Sequence, residues 1–235
     1  MELEIHGIKF KADVRKASDL KPVLAFPEEL KEDFDAYYMF RDVYYRKEDH
    51  KKIVNAGLRF DYTIIPPNRI GDEYIKTYGH YHPEVVSGLS YPEVYQVLEG
   101  EAIYLLQKRE NDKIVEVLAV EASKGDVVLI PPNYGHVTIN PSNKKLVMSN
   151  WVCRDFSSIY EPYTKYRGAC YYYTGEWIKN ENYPEVPELK IAKPIDILDV
   201  KGEDMYYLVD NISKLEFLTK PQNWIEIFSN AFEVK

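Results

Sequence analysis

An all-β domain, one small antiparallel barrel or sandwich with an N-terminal arm and a C-terminal extension, is the fold this sequence predicts. Three observations carry that reading. Tyrosine occurs 21 times, and aromatic residues mixed with β-branched ones favour strands. Short β-rich segments recur at regular spacing through the middle of the chain, and turn residues stand between them. At 235 residues the chain exceeds what a single barrel of roughly a hundred-odd residues needs, yet it is short for two full domains.

Residues 1–56 form the arm, in which Pro27-Glu28-Glu29-Leu30 places a proline to open a helical turn. Residues 57–183 hold the barrel and an aromatic segment after it. The predicted strands cover 59–65, 74–78, 93–98, 101–107, 113–120, 126–130, 136–140 and 146–152. Glu99-Gly100, Asn111-Asp112, Lys124-Gly125 and Asn140-Pro141-Ser142-Asn143 supply turn chemistry between them. The aromatic run Tyr171-Tyr172-Tyr173 follows, and the proline-spaced stretch from Tyr183 to Pro187 reads as a linker or an extended arm. In the extension, residues 184–235, Trp224, Ile225, Ile227, Phe228, Ala231 and Phe232 recur at helical spacing and predict a short docking helix.

Composition excludes several function classes. Hydrophobic residues make up 45% and charged residues 29%, the balance of an ordinary globular protein. Acidic residues outnumber basic ones 38 to 30, for a net charge of −8, and no basic stripe offers a track for a phosphodiester backbone. Nucleic acid is therefore not an expected partner. The N-terminus lacks the pattern of a signal peptide and no apolar run reaches the length of a membrane span, so a cytoplasmic protein with no membrane partner is expected. Cys153 and Cys170 make neither a Cys-x-x-Cys pair nor a zinc array and read as ordinary thiols.

His80 and His82 are one residue apart. On a strand that spacing puts both imidazoles on one face, about 7 Å apart along the backbone, where they can converge on one ion. A lone pair of this kind also occurs as satisfied core residues, so its neighbours decide the reading. Glu93 opens the next strand, with Gly100 after it; later come Gly125, Pro131, His136 and Asn140. These two blocks resemble the paired signature motifs of the cupin superfamily. The resemblance implies a single jelly-roll-like cupin barrel in which His80, His82, Glu93 and His136 hold a divalent metal. Imidazoles with one carboxylate suit Fe, Mn, Ni, Co or Zn and leave positions open to substrate oxygens, whereas structural zinc sites are closed and commonly contain cysteine. Two features depart from the superfamily pattern: Asn133 stands where glycine is usual, and ten residues separate His82 from Glu93. The residues from Val85 to Tyr91 are expected to form a loop at the barrel mouth. Glu84 is a rival carboxylate ligand, although Glu93, at a strand start, is the better oriented.

A narrower resemblance links the chain, from about Val43 to Tyr183, to the cupin-type phosphoglucose isomerases, the archaeal-type enzymes that interconvert glucose 6-phosphate and fructose 6-phosphate. It is carried by Tyr62-Thr63 through Pro67 to Thr77-Tyr78-Gly79-His80-Tyr81-His82, by Glu93-Val94-Tyr95, and by Pro131-Pro132-Asn133-Tyr134-Gly135-His136. The resemblance implies that Tyr44, Thr63, Thr77 and Gly79 hold the sugar phosphate, that Tyr160 faces the sugar, and that the chain forms a homodimer. Hydroxyls and a glycine N–H can donate to phosphate oxygens without bringing in a large side chain. Glu93 is the candidate catalytic base, and Tyr95, two residues along the same strand, can hydrogen-bond a sugar oxygen. Ser158 and Val152 stand where the family carries a histidine and a tyrosine. An isomerase or a non-catalytic binder for another sugar phosphate, or a metal-dependent cupin oxygenase, remains the alternative.

Overall fold

The computed structural model describes residues 1–235 except Ser87, Asp112 and Lys201. Among the described residues two large sheets dominate, one of six strands and one of five. Their strands, in chain order, are β1 (Asp13–Lys16), β2 (Asp35–Phe40), β3 (Leu58–Ile65), β4 (Glu93–Glu99), β5 (Glu101–Glu110), β6 (Lys113–Ser123), β7 (Val127–Ile130), β8 (Tyr134–Ile139), β9 (Leu146–Cys153), β10 (Leu189–Pro194) and β11 (Phe232–Val234). The six-stranded sheet runs β7-β4-β9-β3-β2-β1, all antiparallel, and the five-stranded sheet runs β8-β5-β6-β10-β11 with one parallel pair, β6 and β10. Strands from residues 1–56 thus extend one sheet, and strands from residues 184–235 extend the other.

Side-chain alternation explains how the six-stranded sheet serves two cores. On β4, Tyr95 and Val97 belong to the apolar cluster between the sheets, together with Met148 of β9 and Tyr104 and Leu106 of β5. Val94, Trp151, Phe60, Tyr62 and Ile64 face the other way, into a second cluster. The C-terminal 3₁₀ segment Met205–Leu218 covers that outer face, with Met205, Tyr206 and Phe217 buried in the second cluster. Two hydrogen bonds fix the cover: Trp151 Nε1 donates to the Met205 carbonyl at 3.0 Å, and Gln96 Oε1 accepts from the Met205 N–H at 2.9 Å. The outward Gln96, between the apolar Val94 and Leu98 on its face of the strand, is thereby satisfied, as a buried amide must be.

Some local expectations change. The helical spacing near the C-terminus yields only a five-residue helix, Ile225–Ser229; Phe232–Val234 instead pairs with β10, satisfying an otherwise open sheet edge. A helix at Lys47–Asn55, with acidic residues in its first turn, lies in the arm. His80 and His82 do not lie on a regular strand. Gly79 at φ +88° interrupts the extended backbone, and Glu73–Tyr74 pairs only with Arg69–Ile70. His80 is instead joined to His136 by an isolated bridge. The expected mouth loop is a hairpin, Glu84–Val86 against Leu89–Ser90, with Ser87 outside the described residues. Of the predicted turn Asn111-Asp112, Asp112 likewise lies outside them.

Asn133 explains one departure from the superfamily motif. Its φ of +71° is the left-handed conformation, which glycine adopts freely and asparagine tolerates better than most residues. Asparagine also adds two bonds that glycine cannot, Oδ1 accepting from the Ser90 N–H at 3.0 Å and Nδ2 donating to the Gly88 carbonyl at 2.8 Å; the backbone N–H at this position, which glycine would supply as well, donates to Ser90 Oγ at 2.7 Å. The mouth hairpin is pinned to the turn before β8 by these three bonds.

Candidate metal centre and substrate cavity

His136 lies on β8 opposite Leu106 of β5, and its backbone exchanges hydrogen bonds with His80 in both directions, at 3.3 and 3.1 Å. That bridge sets the two rings 4.4 Å apart between centroids. Glu93 opens β4 on the same interior face as Tyr95. The ligand atoms of His80, His82, Glu93 and His136 all lie within 4.8 Å of one another. Nε2 of His80 and Nε2 of His82 are 3.1 Å apart, and Glu93 Oε2 is 3.3 Å from Nε2 of both His82 and His136. Glu84, the rival carboxylate, is exposed on the hairpin.

Outer contacts aim these groups. His82 Nδ1 is 2.8 Å from the Tyr91 carbonyl, which can only accept, so Nδ1 carries the proton and Nε2 presents its lone pair to the cluster. Asn150 Nδ2 donates to Glu93 Oε1 at 2.7 Å, leaving Oε2 buried without a hydrogen-bond partner. Gly79 and Gly135, beside His80 and His136, allow the buried Tyr163 to pack closely; a Cβ on either would meet its atoms at 2.6 and 2.8 Å.

Burial holds the His80 imidazole well below its ordinary value, reinforced by His136 and His82 alongside, and burial lowers His136 as well. Burial alone would raise the Glu93 carboxyl, but the imidazoles of His136 and His82 outweigh it and hold the group well below the usual carboxylate range. Imidazoles facing a carboxylate, one oxygen of which is buried and unpartnered, are the donor set of a mid-row divalent ion. The four residues can hold a metal. Tyr95, buried with its hydroxyl 3.3 Å from His136 Nε2, is pushed well above its ordinary value, first by burial and then by Glu93, and stays a proton donor.

The centre opens onto a cavity lined also by Thr63, Thr77, Gly79, Tyr95 and Tyr160. Thr77 Oγ1 accepts from the Thr138 N–H at 2.9 Å, which leaves its own proton free to donate. The Tyr160 ring stands 5.5 Å from those of His80 and Tyr78. Tyr44 lies elsewhere: its ring packs 5.3 Å from Phe10 and 4.8 Å from His50, against the second cluster. The chain turns at Asp42, with φ +58°, and carries Tyr44 off the cavity face. The tyrosine of this region that does line the cavity is Tyr37, on β2.

Sequence reasoning also missed Arg41, Arg59, Asp61 and Asn150, all of which line the cavity. Arg59 Nε contacts both oxygens of Asp61 at 2.9 Å, and Asp61 further accepts from the Asp42 N–H at 2.9 Å and from Arg41 Nη1 at 3.3 Å. Their signal was present: Arg59, Asp61 and Thr63 share a face of β3 by strand alternation. Val152 and Ser158, which stand where the resembling family differs, line the same cavity.

A model of the glucose-6-phosphate isomerase (GPI) family matches residues 14–188, about three quarters of the chain. The chain belongs to this family. Glucose-6-phosphate isomerase of Thermococcus litoralis is 31% identical over 141 residues, covering 58% of this chain and 67% of that protein. The Thermococcus kodakarensis enzyme is 31% identical over 138 residues, covering 57% and 65% respectively. The chain thus spans about two thirds of the length of these relatives. Oxalate decarboxylase from Bacillus subtilis, in its structure at pH 4.6, overlaps 53% of this chain and 27% of that one at 15% identity, with a TM-score of 0.38, and adds nothing to the family assignment. Among the described residues no helix is long and apolar enough to cross a membrane.

Proposed function

We propose that this protein interconverts glucose 6-phosphate and fructose 6-phosphate, using one divalent ion (Fe, Mn, Ni, Co or Zn) held by His80, His82, Glu93 and His136. The observation that carries the reading is the opening of a largely buried three-imidazole, one-carboxylate cluster onto the cavity that also contains Thr63, Thr77 and Gly79. Among the described residues the Gly79 N–H and the Thr63 hydroxyl have no hydrogen-bond partner, so both are available to phosphate oxygens, together with the Thr77 hydroxyl. Tyr160 flanks the sugar at the mouth; Tyr44, on the opposite face of the sheet, is left out of the contacts.

A bound divalent ion supplies Lewis-acid polarisation of the oxygens on C1 and C2. Once its hold on the ion loosens, Glu93 Oε2 takes the proton from C2 and returns it to C1, while Asn150 holds Oε1 in place. Negative charge gathers on O1 and O2 in the enediolate between the two transfers, and the Tyr95 hydroxyl donates to a sugar oxygen there. In the competing route hydrogen moves directly between the carbons as hydride and Glu93 relays only hydroxyl protons. An unpartnered carboxylate oxygen beside the reacting atoms favours proton transfer.

A coupled assay tests the proposal: fructose 6-phosphate should be converted when Fe, Mn or Ni is added, without consumption of dissolved oxygen. Thermal stabilisation by the sugar phosphate with no turnover would make the protein a binder instead. The presence of Val152 and Ser158 in the cavity gives a second reading, isomerisation of another sugar phosphate, and the same assay over a panel of aldose and ketose phosphates decides between them. A homodimer is also expected; light scattering after size exclusion should return twice the monomer mass, and a monomer at micromolar concentration would count against it.

A further inference from the structure

We propose that Arg59 is a specificity-determining residue that binds the oxygens at the reacting end of the sugar, a role that rests on the isomerase reading above. The strand register locates it. Arg59 of β3 stands opposite Val152 of β9, and Val152 stands opposite Glu93 of β4, so the three residues share one row across the sheet. Two inter-strand steps put the Arg59 and Glu93 backbones about 10 Å apart, and the residue between them is a short valine. A long guanidinium can reach over it towards the carboxylate.

Thr63 is four residues along β3 on the same face, about 13 Å away. With the phosphate at Thr63, Thr77 and Gly79, the strand runs from the phosphate end of the ligand to the reacting end, and Arg59 is level with Glu93 at the latter. Arg59 is therefore not a further phosphate ligand.

Its tether leaves the binding end open. Only Nε is used, on both oxygens of Asp61, and Asp61 is itself buried and fixed by the Asp42 N–H and by Arg41. Among the described residues neither Nη of Arg59 makes a hydrogen bond, and Arg59 lines the cavity. A guanidinium oriented from behind, with its planar fork free, matches a pair of neighbouring oxygens carrying negative charge. In the isomerisation that pair is O1 and O2. A preorganised cation there stabilises the charge that develops during proton transfer more than it stabilises the neutral sugar.

The test compares two inhibitors of the metal-loaded enzyme: a five-carbon aldonate phosphate, whose carboxylate takes the place of O1 and O2, and the alditol phosphate of the same length, which keeps a hydroxyl there. Wild type should prefer the aldonate. Arg59→Met should reduce that preference roughly 10- to 100-fold, the scale of a lost charge-assisted contact, and lower kcat by about 10²-fold, as removal of a preorganised donor does. Inhibition by inorganic phosphate, which reports the Thr63 end, should not move. Arg59→Lys keeps the charge but loses the fork, and should recover only part of the preference; it also carries the test if the Met variant does not fold. A preference unchanged in the folded, metal-loaded Met variant, or fully wild-type in the Lys variant, overturns the inference. Wild type that turns over fructose 6-phosphate while Arg59→Met keeps the preference sinks this role alone, whereas wild type that turns over no sugar phosphate sinks the isomerase reading itself.

Discussion

Alanine in place of His80, His82 or His136 is expected to abolish stoichiometric metal while leaving the fold intact. Each of these imidazoles is a direct ligand in the proposed centre, so the loss of affinity should exceed the roughly 10- to 100-fold that removal of an outer hydrogen-bond partner costs. The fold should survive because the strands that carry the centre are held by cores of their own, Tyr104, Met148 and Leu106 on one side and Trp151, Phe60 and Tyr206 on the other. Elemental analysis of the purified variants checks the first half and circular dichroism the second. Turnover should disappear with the metal, and the thermal stabilisation that added metal gives the wild type should be missing. Wild-type metal content in all three variants would place the centre elsewhere.

Glu93→Gln should lower turnover by ~10²-fold or more, the scale of a removed general base. The amide can still accept the Asn150 hydrogen bond through its own oxygen, so the local geometry should persist; what it cannot do is take a proton at the position of Oε2. Some metal should remain on the three imidazoles. Run in deuterated water, the wild-type reaction should carry solvent deuterium into the transferred position, and a product free of label would establish hydride shift. Near-normal turnover in Glu93→Gln would move the base to another residue. Glu84 is the first to test, although it lies exposed on the mouth hairpin.

The sequence made the centre's strands and ligands readable to different degrees, for physical reasons. Seven of the eight predicted barrel segments correspond to strands of the two sheets, from Leu58–Ile65 to Leu146–Cys153, because period-two alternation and turn residues are local signals. The convergence of His80, His82, Glu93 and His136 followed from motif spacing, although the first two lie on a bridged segment broken at Gly79 and not on a strand. Arg59 and Asp61 were in view as letters of a strand, but which face looks into the cavity depends on packing across β9 and β4. Tyr44, the tyrosine expected at the phosphate, follows a turn at the positive-φ Asp42 and lies off the cavity, whereas Tyr37, before that turn, lines it. The covering of the outer sheet face by Met205–Leu218 joins residues more than a hundred positions apart, which no local pattern encodes.

The mouth hairpin and the residue at position 133 form one unit of variation with a metal ligand. Asn133 grips the hairpin at Gly88 and Ser90; the next residue, Tyr91, offers its carbonyl to His82 and so sets which imidazole nitrogen is free. With the long spacer between His82 and Glu93 present, asparagine accepts a left-handed backbone in exchange for two side-chain bonds. Shorten the spacer, and those partners vanish while the conformational cost remains, so glycine becomes the better occupant. Loop length, the choice between asparagine and glycine, and the tautomer of His82 should therefore change together in descendants of this chain, as a single inherited trait.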